Sequence, residues 1–568
     1  MPQTLTDFPE PLLGDSSGGS SSALIREIES WIAGLPLANV DETQHLVVAA
    51  LTKINDADLP PQDHFKMLEL FRRSTQYLSD ALKHHLLGAS FPLTLKSRKV
   101  VAQLCDLHLA MAKGYQEIIN ELLGLNSHRQ DFALLATCLH RALFYLGQEL
   151  LAAYQVYEAG TPGRWHTIHR LYDAAERKGV QLSAVKDPYR QVKQDTTIEE
   201  QYKQILLLAL ANPFRHSPPD IALIYRLLEQ WVPQCRIYSS DHFDESPHIG
   251  VVDLEGDEPP VHLAYGAVPR HTSYRLLNAG DLIHSLENLV SQNLAESPEE
   301  LLSQRGPRTP RLGKQLLQSL ITTWRAAPGR RYSRSQRDLD EVEVSFGLNA
   351  NHQMLGKHIS MANNHSGAGI RLPFARKDTF PAKSEGDVLR YFCAVVNESA
   401  GGSCLKWSGD GGGKIRVGEL LAFRHIHQPG NAWSLAVIRW LKNGNNHAVE
   451  FGIQLLSPDT IPISLRLENA KGAEVEHDYL KGFYLPELKA TRQPASLIVP
   501  SLLYHVNDVV TLMMNHQEHN LRLTRATDST PIFSRFQFVP LAITQNRTVV
   551  SSNIAPTKQV DSSLRSNL

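Results

Sequence analysis

Cysteine is scarce in this chain. Only Cys105, Cys138, Cys235, Cys393 and Cys404 occur in 568 residues, and no two form a CxxC pair. That argues against a disulfide framework and against a structural zinc site. Nowhere do roughly 18 apolar residues run together, so the sequence offers no membrane span. The opening "MPQTLTDFPEPLLGDSSGGSSS" lacks the basic stretch and apolar core of a secretory signal, and a reduced, cytoplasmic protein is expected. Charge of one sign is missing too. The formal net charge is −2, so no overall basic field exists to hold nucleic acid, although a local basic patch stays open. What is present is 42% hydrophobic and 20% charged residues, an ordinary globular composition. The length implies roughly three or four domains.

Residues 1–21 are rich in Pro, Ser and Gly and read as a disordered tail. From 22 to 326 the pattern is helical. In "ALIREIESWIAGL", Leu24, Ile25, Ile28, Trp31 and Ile32 recur at three- and four-residue steps and make one apolar face. Comparable faces run through 62–87, 94–123, 128–157, 164–178, 197–212, 217–232, 280–293 and 309–325. Pro or Gly marks joints such as "LPPQD", "AGTPG" and "HSPPD". The stretch "WHTIHRLYDAAERKGV" is like a tetratricopeptide helix, but no second copy follows at a fixed period. A small β insertion is expected at 235–265, from "CRIY" and "VHLAYG".

After Gly329 the period changes. "EVEVSFGL", "YFCAVVN", "GELLAFRHI", "WSLAVIRWL", "AVEFGIQLL" and "IPISLRL" are short, branched and aromatic-rich, and turns such as "KNGNN" and "SPDT" bound them. The expected fold class is multidomain α + β. An all-α half precedes an antiparallel β-barrel at 327–470, which carries a long insertion at 349–388. A further β-rich segment at 471–545 and a polar, disordered tail at 546–568 complete the chain.

Two short motifs carry the chemistry. "GRRYSRSQR" places Arg330 and Arg334 four apart with Arg331 between them, just before the first β segment. "VVNESAGGSC" ends a strand with Asn397, Ser399 and Gly402 at NxSxxG spacing. Taken in this order, with the strands that follow, they resemble the two-part signature of PilZ domains, RxxxR followed by [D/N]xSxxG. The resemblance covers the C-terminal part only, about 330–470. It implies a small β-barrel that binds the bacterial second messenger cyclic di-GMP, with Arg330, Arg331, Arg334, Asn397, Ser399 and Gly402 as ligand-binding residues. The residue types suit that ligand. A guanidinium donates paired hydrogen bonds to phosphate or to the O6/N7 edge of guanine, and its flat face stacks on a base. Asn397 and Ser399 add short polar partners, and Gly402 permits a tight turn. The gap from Arg334 to Asn397 is longer than the family's usual spacing. Arg371 and Arg376 fall within it as back-up candidates.

Other signals point elsewhere or nowhere. "GDSSGG" is one residue from a protease nucleophile loop but sits in the tail, with no strand before it. "SGDGGGK" lacks the register of a phosphate-binding P-loop. The His pairs 166/169, 425/427 and 516/519 bring no third ligand at a metal-binding spacing. No catalytic constellation appears, so the expectation is a non-enzymatic signalling adaptor without cofactor or metal. Cyclic di-GMP binding would reorient a helical region that meets an unknown protein partner. Two rivals stay open: a helical scaffold with a degenerate, non-binding barrel, and a metal-dependent hydrolase in the helical half.

Overall fold

The computed structural model describes residues 4–9, 20–86, 91–125, 131–190, 194–240, 249–262, 271–291, 310–325, 333–336, 340–365, 389–408, 415–426, 432–444, 448–468, 479–488, 493–501, 503–514 and 517–541. The helical half begins with α1 (Ser20–Ala33), α2 (Val40–Asn55), α3 (Pro61–Leu86), α4 (Leu95–Gly124), α5 (Phe132–Gln155) and α6 (Arg164–Arg177). After the short strands β1 (Val185–Lys186) and β2 (Asp195–Thr196) come α7 (Ile198–Leu210) and α8 (Pro218–Trp231). Local chemistry sets several starts. Asn39, Thr94, Asp131, Thr197 and Ser217 each accept a backbone N–H in the first turn of α2, α4, α5, α7 and α8. Nearly every residue of α5 is buried, because α4, α6, α7 and α8 pack around it. One buried carboxylate ties this bundle together: Asp187 meets Arg72 at 2.8 Å and Arg141 at 3.0 Å. Burial pushes its carboxyl upward, but the two guanidinia outweigh that and hold it below the usual range.

The expected tail is not structureless. Thr4 to Asp7 form a capped helical turn, and Phe8 is buried edge-on to Trp31 at 4.9 Å. The Trp31 indole N–H donates to the Thr4 carbonyl at 3.2 Å. Burial of one aromatic side chain outweighs the polar composition that surrounds it. The β insertion is also larger than expected. Strands β3 (Arg236–Ser239), β4 (Ile249–Asp253), β5 (Val261–His262) and β6 (Tyr274–Asn278) form one antiparallel sheet in the order β3-β6-β4-β5. Helices α9 (Gly280–Ser291) and α10 (Pro310–Trp324) follow. α10 returns to the bundle, where the Trp324 indole donates to the Leu207 carbonyl at 3.2 Å.

The first barrel is built from β8 (Glu341–Phe346), β9 (Tyr391–Ser399), β10 (Gly402–Trp407), β11 (Leu420–His425), β12 (Ser434–Asn443) and β13 (Val449–Ser457). Its antiparallel ring runs β8-β9-β10-β13-β12-β11 and back to β8. The short β7 (Ser335–Gln336) pairs with β9. A second closed barrel follows in the order β14-β15-β16-β19-β18-β17. Its strands are β14 (Ile461–Glu468), β15 (Leu480–Leu485), β16 (Ser496–Pro500), β17 (Val509–Met514), β18 (Gln517–Ser529) and β19 (Phe533–Pro540). "IPISLRL" therefore opens the second barrel instead of closing the first, a correction to the expected boundary at 470. Its partners β15 and β17 lie downstream, and its alternating side chains Ile463 and Leu465 fill the second core.

The segment expected as an insertion lies between β8 and β9. It begins with a helix, α11 (Leu348–His365), seated between the two barrels. Leu355 packs with Leu420 and Leu435 of the first barrel and with Phe483 and Ile498 of the second. The His352 ring lies 3.0 Å from the Ile463 carbonyl. Asn351 is fully buried. It donates to the Leu420 carbonyl at 3.0 Å and accepts from the Ala422 N–H at 3.1 Å. Helix and barrel edge are thus joined by one amide. Asn351→Ala strands that buried N–H and should cost about 1–3 kcal/mol. A lower urea midpoint for the full chain would register it, and an unchanged midpoint would show the amide to be dispensable.

Candidate functional site

The NxSxxG segment is a hairpin. Ser399 pairs with Gly402 and Glu398 with Ser403, leaving Ala400 and Gly401 at the tip between β9 and β10. The Ser399 hydroxyl donates to the Gly402 carbonyl at 3.0 Å and closes the turn. Behind it, the Leu455 N–H donates to the Gly401 carbonyl at 3.0 Å, which stitches the tip to β13. Gly402 has a φ of +151°, and a Cβ there would lie 2.0 Å from the Ile453 carbonyl oxygen. No side chain fits, because the obstacle is backbone. Asn397 is half-buried on β9, and its Oδ1 is shielded from water with no hydrogen-bond partner among the described residues. A buried acceptor of this kind is costly unless a donor reaches it.

The arginine segment joins this hairpin directly. β7 pairs Ser335 with Glu398 and Gln336 with Asn397, and continuing that register sets Arg334 opposite Ser399. The long spacing in sequence is therefore short in space. Arg334 is exposed and borders the same cleft as Ser399 and Gly401. Arg330 and Arg331, like the back-up candidates Arg371 and Arg376, lie outside the described residues.

The cleft has a volume of about 950 Å³. Arg334, Arg439 and Lys442 line it from the barrel side, Arg215 from the helical half, and Gln493 from the second barrel. No Asp or Glu lies among the described residues that line it. Sequence reasoning missed Arg215, Arg439, Trp440 and Lys442. A β-bulge explains two of them. Ile438 pairs with Ile453, but Trp440 pairs with Gly452, so Arg439 is an extra residue in β12. Strict alternation would bury Trp440; the bulge instead puts Arg439 and Trp440 on the same outer face, while Ile438 and Leu441 stay in the core. The indole lies across Gly452, where a Cβ would fall 1.9 Å from the Trp440 Nε1. Two adjacent large side chains between two inward ones, "IRWL", were the available signal. Arg215 had none, since "ANPFRHSPPD" reads only as a joint between helices.

Nearby, His425 lies between Asp340 at 3.3 Å and Glu398 at 3.4 Å. Among the described residues no group of three His, Cys, Asp or Glu is placed to hold a metal ion. Nor is any helix among them long and apolar enough to cross a membrane.

A closed six-stranded antiparallel barrel, with an NxSxxG hairpin at its mouth and an arginine segment paired to it, has the form of a PilZ domain, and the middle of this chain is a PilZ domain. The match to known proteins extends well beyond the C-terminal part that the motif alone suggested. Residues 26–241 match the N-terminal domain of the cyclic-di-GMP receptor FimW, 249–368 and 357–462 its middle PilZ domain, and 464–541 its C-terminal β-barrel domain. Over 560 residues the chain is 26% identical to the cyclic-di-GMP receptor FimW of Pseudomonas aeruginosa, covering 90% of each chain. No solved structure matches.

The geometry at Gly402 yields a direct test. Gly402→Ala must push β10 away from β13, and should destabilise the barrel by more than about 2 kcal/mol. Gly124→Ala, at an open helix end with no atom within 4 Å of the added carbon, should leave the thermal unfolding of the full chain unchanged or slightly raised. Equal melting curves for the two variants would contradict the close approach.

Proposed function

We propose that this chain is a cyclic di-GMP receptor that acts as a signalling adaptor. The observation that carries the reading is the meeting of Arg334 with the Ser399 hairpin at a cleft that, among the described residues, is lined by four cationic side chains and no acidic one. Cyclic di-GMP supplies what such a cleft lacks. Its two phosphates take paired hydrogen bonds from Arg334 and from Arg439. A guanine presents N–H donors for the unpartnered Oδ1 of Asn397. The outward face of Trp440 offers a stacking surface for a base. Arg330 and Arg331, four and three residues before Arg334, add further guanidinia in this reading. Ser399 and Gly402 contribute by shaping the hairpin more than by touching the ligand, since the hydroxyl is already engaged with the Gly402 carbonyl.

The FimW relative is named as a receptor, and a receptor needs no chemistry at this site. A cleft walled by the helical half, the PilZ barrel and the second barrel lets occupancy bias how these parts sit together. The helical half is then the region that meets a protein partner, in the cytoplasm where the nucleotide is made.

Calorimetry on the full chain tests this. Cyclic di-GMP should bind with micromolar affinity or better, about −8 kcal/mol, and GTP much more weakly. Arg334→Ala should weaken binding about 10- to 100-fold, as expected for the loss of hydrogen bonds to a charged group. Lys406→Ala, exposed on β10 away from the cleft, should leave it unchanged. No heat and no thermal shift at saturating nucleotide would favour the rival scaffold with a degenerate barrel.

A further inference from the structure

Arg215 belongs to the helical half, yet it opens onto the cleft of the PilZ barrel. It sits on the turn Ala211–His216, whose shape is tightly determined. Asn212 adopts left-handed backbone with φ of 55°, a conformation that Asn tolerates better than most residues, and Pro213 follows with its fixed φ. The Arg215 N–H donates to the Asn212 carbonyl at 3.0 Å, and the His216 ring lies 3.1 Å from the Ala211 carbonyl. The turn is also fastened to the barrel. The Tyr157 hydroxyl donates to the His216 carbonyl at 2.9 Å, while the Tyr157 carbonyl accepts from the N–H of Asn443 at the end of β12, also at 2.9 Å. Arg439 and Trp440 lie on that same strand. The backbone of Arg215 is thus fixed at the cleft wall by built structure, and its exposed side chain opens onto the cleft from there.

Its electrostatics are unusual. No carboxylate pairs with Arg215 among the described residues, whereas Arg439 is paired with Asp528 and donates to Gln454 at 2.7 Å. Partial burial and the positive charge of Arg439 both push the Arg215 pKa down. Two guanidinia therefore face one cleft, and the positive charge of Arg439 disfavours that of Arg215, which has no carboxylate of its own among the described residues.

We propose that Arg215 is a phosphate-binding residue of this site, and that an anion bridging Arg215 and Arg439 is the link through which the helical half responds to nucleotide. The proposal rests on the receptor reading above and adds the contact that transmits occupancy. A phosphate bridging the pair replaces repulsion by two charge-assisted interactions. Because Arg439 is tied to Asp528 of β18, the same phosphate connects the helical half, the PilZ barrel and the second barrel.

The test uses the full chain, cyclic di-GMP as probe, and hydrogen exchange beside calorimetry. In the wild-type chain the nucleotide should protect 209–217 as well as 397–403. Arg215→Gln should raise Kd about tenfold, flatten the salt dependence of binding, and abolish protection at 209–217 while retaining it at 397–403. Arg215→Lys, which keeps the charge but not the fork, should fall between the two. Wild-type affinity in Arg215→Gln, with protection confined to 397–403 in both proteins, would overturn this proposal and leave the receptor reading intact. Absence of binding to the wild-type chain would overturn both.

Discussion

One tyrosine joins the two halves of this molecule. Tyr157 is almost completely buried just beyond α5, with φ of 59° in the left-handed region. A bulky residue there carries strain of about 1–2 kcal/mol that only its surroundings can sustain. Those surroundings are specific. The ring packs 4.8 Å from Phe91, Phe91 bridges Ile415 of the barrel, and the two polar ends of Tyr157 bond to His216 and Asn443. The Asn443 side chain adds a hydrogen bond to Glu158 at 3.1 Å. Around this seam the bundle and the PilZ barrel share one continuous apolar cluster, from Leu135 and Leu206 through to Ile438 and Phe451. Removing water from both partners stabilises their mutual placement, while the bonds at Tyr157 set its register. The cleft wall formed by the helical half exists because this seam exists.

Charge in the cleft follows a different logic from charge in the bundle. In the bundle, Asp187 is out of reach of water and must be paired, which two arginines do. In the cleft, Arg334 and Lys442 are exposed and water screens them, so unpaired cations are tolerated. A net charge of −2 for the whole chain makes this local concentration of positive charge stand out. A concave surface with one sign of charge focuses its field on an approaching anion. Asn397, two residues before the cleft residue Ser399 on β9, carries a buried acceptor without a partner among the described residues.

How much of this was legible from the residues depends on whether the information was local. Helix faces were, because their periodicity records which side meets a core. The hairpin at Asn397–Gly402 was, because a turn writes its constraints into adjacent residues. The meeting of Arg334 with that hairpin was legible only through the two-part motif, and its strand pairing was not, since α11 intervenes in the chain and nothing in its sequence says that it folds away between the barrels. Phe8 was hidden by the polar residues around it, and Ile461–Glu468 by its resemblance to the strands before it. The bulge at Arg439 was encoded, in the broken alternation of "IRWL", but only knowledge of Gly452 opposite shows what the break accomplishes. Arg215 was beyond reach. Its neighbours in sequence belong to the bundle, and its place in the cleft wall comes from a tertiary seam that no short motif describes.

That distribution also bears on how a small ligand could influence so large a chain. A pocket wholly inside one barrel would report occupancy only to that barrel. This cleft takes its walls from three parts, and the strand carrying Arg439 is bonded to two of them, through Asn443 to the bundle and through Asp528 to the second barrel. A ligand shifts a conformational equilibrium only by its difference in affinity between states. Contacts drawn from several parts supply such a difference, because any relative displacement of those parts breaks some contacts and spares others. The PilZ barrel thus holds the centre of the arrangement, and α11, the Tyr157 seam and the Arg439–Asp528 pair are joints through which it meets its neighbours.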